Sequence, residues 1–144
     1  MPDTYVTNPS FFKLDATLKK IRNYWQQTFD AHQKDITVDQ WLLLENLYKH
    51  KKITHNELAR YTSKDITTVS RIIELMVKKG LVQREGAVTD RRKVYLQLTP
   101  PGIEKYKEVR PLVLEMRKAG WKDLTEKDFL ELTRILDVIY HNIP

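Results

Sequence analysis

Thr67, Thr68, Ser70 and Arg71 set three hydroxyls and a guanidinium within five consecutive positions. Short hydroxyl side chains and an arginine fork are the groups that hydrogen-bond base edges in the major groove, and the fork matches the two acceptors of a guanine. Lys64 stands just ahead of them and adds a cation. A second constellation, Asp90-Arg91-Arg92-Lys93, puts a carboxylate beside two guanidiniums and an ammonium. An Asp–Arg neighbour pair can hold one guanidinium by a charge-assisted bond, which pre-orients the fork for a polyanion. Each group also has a plainer reading. The first fits an ordinary amphipathic surface helix, the second an exposed ion pair worth ~0–1 kcal/mol.

Other chemistries find little support. His32, His50, His55 and His141 are scattered; His50 and His55 lie five apart across a turn, which is poor geometry for one metal. The four glycines all sit at element boundaries, so no phosphate-cradling loop is present, and no serine or carboxylate stands near a histidine in a nucleophile arrangement. With no cysteine, disulfides and thiol catalysis are excluded. No enzyme activity, metal or cofactor is therefore expected. The 144 residues are 41% hydrophobic and 31% charged, a globular composition, with a net charge of +6. The charge is localised. Lys49 to Lys93 holds 12 Lys and Arg against five Asp and Glu, net +7; the remainder holds 13 against 14, net −1. A basic segment of this kind suggests a nucleic-acid partner. No apolar run approaches the ~18 residues of a membrane span, and the N-terminus lacks a secretory pattern. A cytoplasmic location away from membranes is expected.

The positioning elements follow from periodicity. Met1 to Ser10 reads as a loose arm. Phe11, Leu14, Leu18, Ile21, Trp25 and Phe29 then recur at helical spacing, predicting a helix to about Gln33. Thr37 with Gln40, and Thr54 with Glu57, are capping-box pairs that open two further helices. Asp65 caps a fourth, with Val69, Ile72, Ile73 and Met76 on its apolar face and Gly80 at its exit. The last two of these helices form a helix-turn-helix pattern. Leu81–Arg84 and Lys93–Leu98 read as strands of an antiparallel hairpin, a wing whose basic end can reach a minor groove. Thr99 caps a helix in which Pro111 predicts a kink or break. Thr125 opens the last helix, striped by Phe129, Leu132, Ile135, Leu136 and Ile139.

This order, with Arg84, Asp90-Arg91-Arg92, Leu98-Thr99 and Gly102 at their spacing, resembles the MarR family of winged-helix transcription regulators. So does Thr67-Thr68-Val69-Ser70-Arg71 followed by Lys79-Gly80-Leu81-Val82. The resemblance runs from about Phe11 to Ile143. It implies a mainly α fold with a small antiparallel β-hairpin, built as one domain over 1–144. Residues 37–99 would form the winged helix-turn-helix, and 11–33 and 101–143 the dimerisation helices. It implies a homodimer on double-stranded DNA, with contacts from Lys64, Thr67, Thr68, Ser70, Arg71, Asp90, Arg91, Arg92 and Lys93. One wing arginine, with Arg92 favoured, enters the minor groove. Repression relieved by a small aromatic or lipophilic effector is the family's commoner mode, with Trp25, Phe29, Trp41 and Tyr48 as aromatic candidates for its pocket; core packing is the competing role of each. The chain departs from the family at Ser63 and Lys64, where many relatives carry a glycine, and at Leu75 and Val77, where charged residues are usual. The alternative function is a protein-interaction module that keeps the fold without specific DNA binding.

Arg92→Ala should weaken binding to operator and random duplex alike, and lower the slope of log K against log salt by roughly one unit per lost phosphate contact. Titrations at several salt concentrations check this; unchanged affinity on every duplex would remove the wing from the interface.

Overall fold

A computed structural model of the protein describes residues 4–7, 9–86 and 93–144. They divide into two compact units, one running to Val109 and the other spanning Arg110–Pro144. In the first, a single turn, α1 (Thr4–Thr7), occupies part of the expected loose arm and precedes the long α2 (Ser10–Ala31). Thr37 then opens α3 (Val38–His50): its Oγ1 accepts the Gln40 amide at 3.0 Å while its own amide donates to Gln40 Oε1 at 3.1 Å. Thr54 and Glu57 repeat the device at α4 (His55–Thr62). A threonine cap of this kind stabilises its helix by ~1 kcal/mol. Ser63 ends α4 in the left-handed conformation, at φ 52° and ψ 38°, so the turn keeps its shape without the glycine common in relatives.

Asp65 caps α5 (Ile66–Lys78), and Gly80, at φ 78°, turns the chain out of it. The strands β2 (Val82–Gly86) and β3 (Val94–Leu98) pair antiparallel, Val82 opposite Leu98 and Gly86 opposite Val94. A third strand joins the expected hairpin: β1 (Ile53–Thr54) pairs with β3, Ile53 opposite Leu96, giving the order β1-β3-β2. Two residues are too few for an alternation signal, which is why the sequence conceals it.

The core of this unit gathers Phe29, Trp41, Leu43, Leu44, Leu47, Leu58, Val69, Ile73, Met76, Val82 and Leu96, all essentially without exposure. Each large apolar side chain so buried contributes ~1.5–3 kcal/mol. Leu75 remains exposed and Val77 half-buried, so the unusual apolar pair lies along the flank of α5.

The helix α6 (Pro100–Gly120) begins at Thr99, whose Oγ1 accepts the Gly102 amide at 3.1 Å and donates to the Gly80 carbonyl. It stays one helix through Pro111, contrary to the possibility of a break; the boundary between the units falls beside it, after Val109. A proline inside a helix removes one backbone donor, and a neighbouring carbonyl goes without its partner, yet the surrounding turns can continue. In the second unit α7 (Glu126–Asn142) carries a capping box between Thr125 and Asp128, and Trp121 meets Phe129 edge-on at 5.2 Å. Phe129, Leu132, Ile135 and Leu136 on α7 are exposed. No described helix is long and apolar enough to cross a membrane.

A Cβ added at Gly102 would lie 2.1 Å from the Leu81 carbonyl oxygen and 3.3 Å from Leu98 Cβ. A backbone oxygen cannot swing aside, so Gly102→Ala must part the helix start from the exit of α5. The expected cost is ~1–3 kcal/mol, read as a fall in Tm by thermal denaturation; an unchanged Tm would mean that the junction is not tight.

Candidate nucleic-acid interface

Four contacts, two at each end, hold α5 along its axis. Asp65 Oδ1 accepts the Thr68 amide at 2.8 Å, and Oδ2 accepts the Thr68 hydroxyl at 2.8 Å. These bonds from Thr68 hold the Asp65 carboxyl below its usual range, so the cap stays ionised on mild acidification. At the other end Lys79 Nζ donates to the Asp35 carbonyl at 3.0 Å and to Gln40 Oε1 at 3.4 Å, tying the α5 exit to the start of α3. With Val69, Ile72, Ile73 and Met76 buried, the opposite side of α5 is outward: Thr67 and Arg71 are exposed, and Thr68 and Ser70 half-buried. Arg71 makes no ion pair among the described residues. The four sequence candidates on this helix therefore share one accessible turn and a half.

Lys64, expected as a DNA contact, is engaged in an ion pair within the protein. Its Nζ lies 2.8 Å from Asp39 Oδ1, with 17% of its side chain exposed, and the same oxygen accepts from Arg22 Nη2 at 2.6 Å. Burial acts to raise the Asp39 carboxyl, but the hydrogen bonds and charges of Lys64 and Arg22 outweigh it and hold it low. The trio joins α2, α3 and the turn before α5. Lys93 is exposed at the foot of β3. Asp90, Arg91 and Arg92 lie outside the described residues.

The aromatic candidates lie at different depths. Phe29 and Trp41 are wholly buried, and Trp25 sits half-buried with its ring edge-on to Phe29 at 6.2 Å. Tyr106 stacks on Trp41 at 5.4 Å and on Tyr48 at 3.8 Å, a contact that no local spacing signals. Tyr48 borders a cleft of about 430 Å³ with Leu47, Lys51, Gln97, Leu98 and Ile103. The candidates also omitted His55 and Arg84, which meet Lys93 around a cleft of about 490 Å³. Arg84 was visible as the first residue of the wing pattern; His55 was weighed only as a metal ligand.

A helix-turn-helix followed by a sheet-forming hairpin, with the second helix polar and accessible at its start, defines a winged-helix protein of the nucleic-acid-binding class. The family model described as "MarR family" matches residues 34–93. The chain is 25% identical to the HTH-type transcriptional repressor IacR of Pseudomonas putida, over 88% of this chain and 77% of that one. Its fold is similar to that of a MarR variant from E. coli complexed with operator DNA, at a TM-score of 0.83 and 23% identity, covering 100% of this chain and 99% of that one. It is also similar to that of BpsR from Bordetella bronchiseptica, whose DNA binding is regulated by 6-hydroxynicotinic acid, at 0.81 and 22%, covering 92% and 99%. Residues 34–93 thus match the MarR family, and the chain as a whole is similar to winged-helix transcription regulators.

The low folded-state carboxyl of Asp39 contributes stability that is present above the ordinary value of 3.8 and lost as pH falls through the depressed one. Asp39→Asn should therefore cost roughly 1 kcal/mol near neutral pH, after discounting for partial exposure. The gap to the wild type should close below about pH 4. Denaturant titrations across pH measure it; a gap that is independent of pH would remove the ion-pair account.

Proposed function

We propose that the protein is a homodimeric, sequence-specific DNA-binding repressor that a small aromatic or lipophilic ligand releases. The observation that carries this reading is the outward face of α5, where Thr67, Thr68, Ser70 and Arg71 stand opposite a wholly buried apolar stripe. A helix held this firmly on one side presents its first turns to a major groove, and its bases to short polar side chains. By the family resemblance, Arg91, Arg92 and Lys93 bring further cations to the DNA contact, next to Asp90 in the sequence. Lys64 serves the interface indirectly, by fixing the turn through Asp39.

Dimer formation is supported by each chain end separately. Phe11, Leu14, Leu18 and Ile21 are exposed along α2, and Phe129, Leu132, Ile135 and Leu136 along α7. Apolar stripes of this length rarely stay in water on a monomer, and a second copy would cover them. The segments 11–33 and 101–143 are thus assigned to dimerisation. Repression is favoured by the name of the Pseudomonas relative, and ligand release by the regulation of BpsR. Of the aromatic candidates, Tyr48 has the access a ligand needs, whereas Phe29 and Trp41 serve the core. The cytoplasm, where the chromosome lies, is the proposed location.

The test is Arg71→Ala. As a reader of guanine, Arg71 should provide ~1–3 kcal/mol of discrimination at one position of each half-site, with much smaller loss on random duplex. Selection profiles that are the same for both proteins would defeat the base-reading role.

A further inference from the structure

The first turn of α4 faces the loop-side half of the β2–β3 hairpin across the cleft of about 490 Å³ lined by His55, Asn56, Glu57, Arg84, Lys93 and Tyr95. Three of these side chains are cations or can become one, and they come from α4, β2 and the foot of β3. Neither Arg84 nor Lys93 has a carboxylate partner among the described residues, and His55 makes no hydrogen bond there. The nearby acids are already engaged. Glu57 Oε1 accepts from the Thr54 amide and hydroxyl at 3.4 and 3.0 Å, and Glu85 pairs with Lys52 at 2.8 Å. The backbone donors of His55 and Asn56, in the first turn of α4, have no carbonyl to reach within the helix. Converging cations with backbone donors beside them suit a tetrahedral oxyanion, while the Thr54 bonds hold Glu57 Oε1 on the helix cap.

We propose that this cleft holds one backbone phosphate of the bound duplex, with Arg84 and Lys93 as its standing cations and His55 as a third that charges on binding. The assignment rests on the DNA-binding reading above and joins Lys93, already placed on the wing, to Arg84 and His55 in a contact away from α5. The groups facing His55 are Arg84 from β2, Lys93 and Tyr95 from the β3 side, and Glu57 and Thr54 beside it. In the free protein, burial and then the Arg84 charge hold the imidazole below its ordinary value, so it is neutral near pH 7. A phosphate in the cleft reverses that field and favours the imidazolium. Binding then takes up a proton, and duplex affinity rises as pH falls toward the free-state value, by at most about tenfold per pH unit per cleft.

The full-length protein and a random-sequence duplex test this. Duplex affinity is measured from about pH 8 to about pH 6 for the wild type, His55→Gln and Arg84→Gln. In parallel, the wild-type His55 imidazole is titrated by NMR alone, with inorganic phosphate, and with duplex. The expected result is an upward shift of the His55 midpoint with duplex, larger than that with inorganic phosphate. His55→Gln should flatten the pH dependence of affinity, and Arg84→Gln should weaken binding roughly tenfold and reduce the salt slope by about one. Wild-type binding with an unmoved His55 midpoint, or an unaltered pH dependence in His55→Gln, would overturn the site alone. A larger shift with inorganic phosphate than with duplex would overturn the duplex as its occupant. Failure of the wild type to bind any duplex would overturn the functional reading and the site with it.

Discussion

Burial of one face of α5 is the constraint on which the rest of the molecule depends. Val69, Ile72, Ile73 and Met76 are closed off from water by packing against α3, α4 and β2. Since a helix repeats every 3.6 residues, fixing that face also fixes the direction of Thr67, Arg71 and their neighbours. Rotating the helix by one residue would drive Arg71 or Thr68 toward the core, where an unpaired charge or hydroxyl is costly. The outward display of polar groups is thus a consequence of core packing. The Asp65 cap and the Lys79 contacts set the helix along its axis in the same way that the core sets its rotation.

The wing is attached to that helix by a short and tight junction. Gly80 redirects the chain, Leu81 accepts the Thr99 amide at 3.0 Å, and the Thr99 hydroxyl reaches the Gly80 carbonyl. Gly102 allows α6 to approach Leu81 closely. The exit of α5, the return of β3 and the start of α6 therefore meet at one point. This explains in physical terms why Leu98-Thr99 and Gly102 belong to the pattern that marks the family.

What the sequence disclosed was what neighbouring residues decide. The caps at Thr37, Thr54, Asp65, Thr99 and Thr125 could be read because each donor lies three residues from its acceptor. The apolar face of α5 was legible for the same reason. Contacts between distant residues were not. Lys64 reaches Asp39 across 25 positions, a pairing that no local spacing signals. His55 and Arg84 come to one cleft only once the β1-β3-β2 sheet has formed. Periodicity gave Phe29, Trp41 and Tyr48 equal standing, since it reports a face and not a depth; burial separates the first two from the third. The two-residue β1 strand owes its existence to its partner β3 and has no signature of its own.

The central claim is that two copies of this chain present their α5 helices to one duplex, and it is tested most directly by selecting bound sequences from a random duplex pool with the wild-type protein. The account predicts enrichment of a two-fold symmetric motif whose half-sites are centred about one helical turn, ~10 bp, apart. A pool that stays random after repeated rounds, or that converges on a single half-site without symmetry, would contradict it.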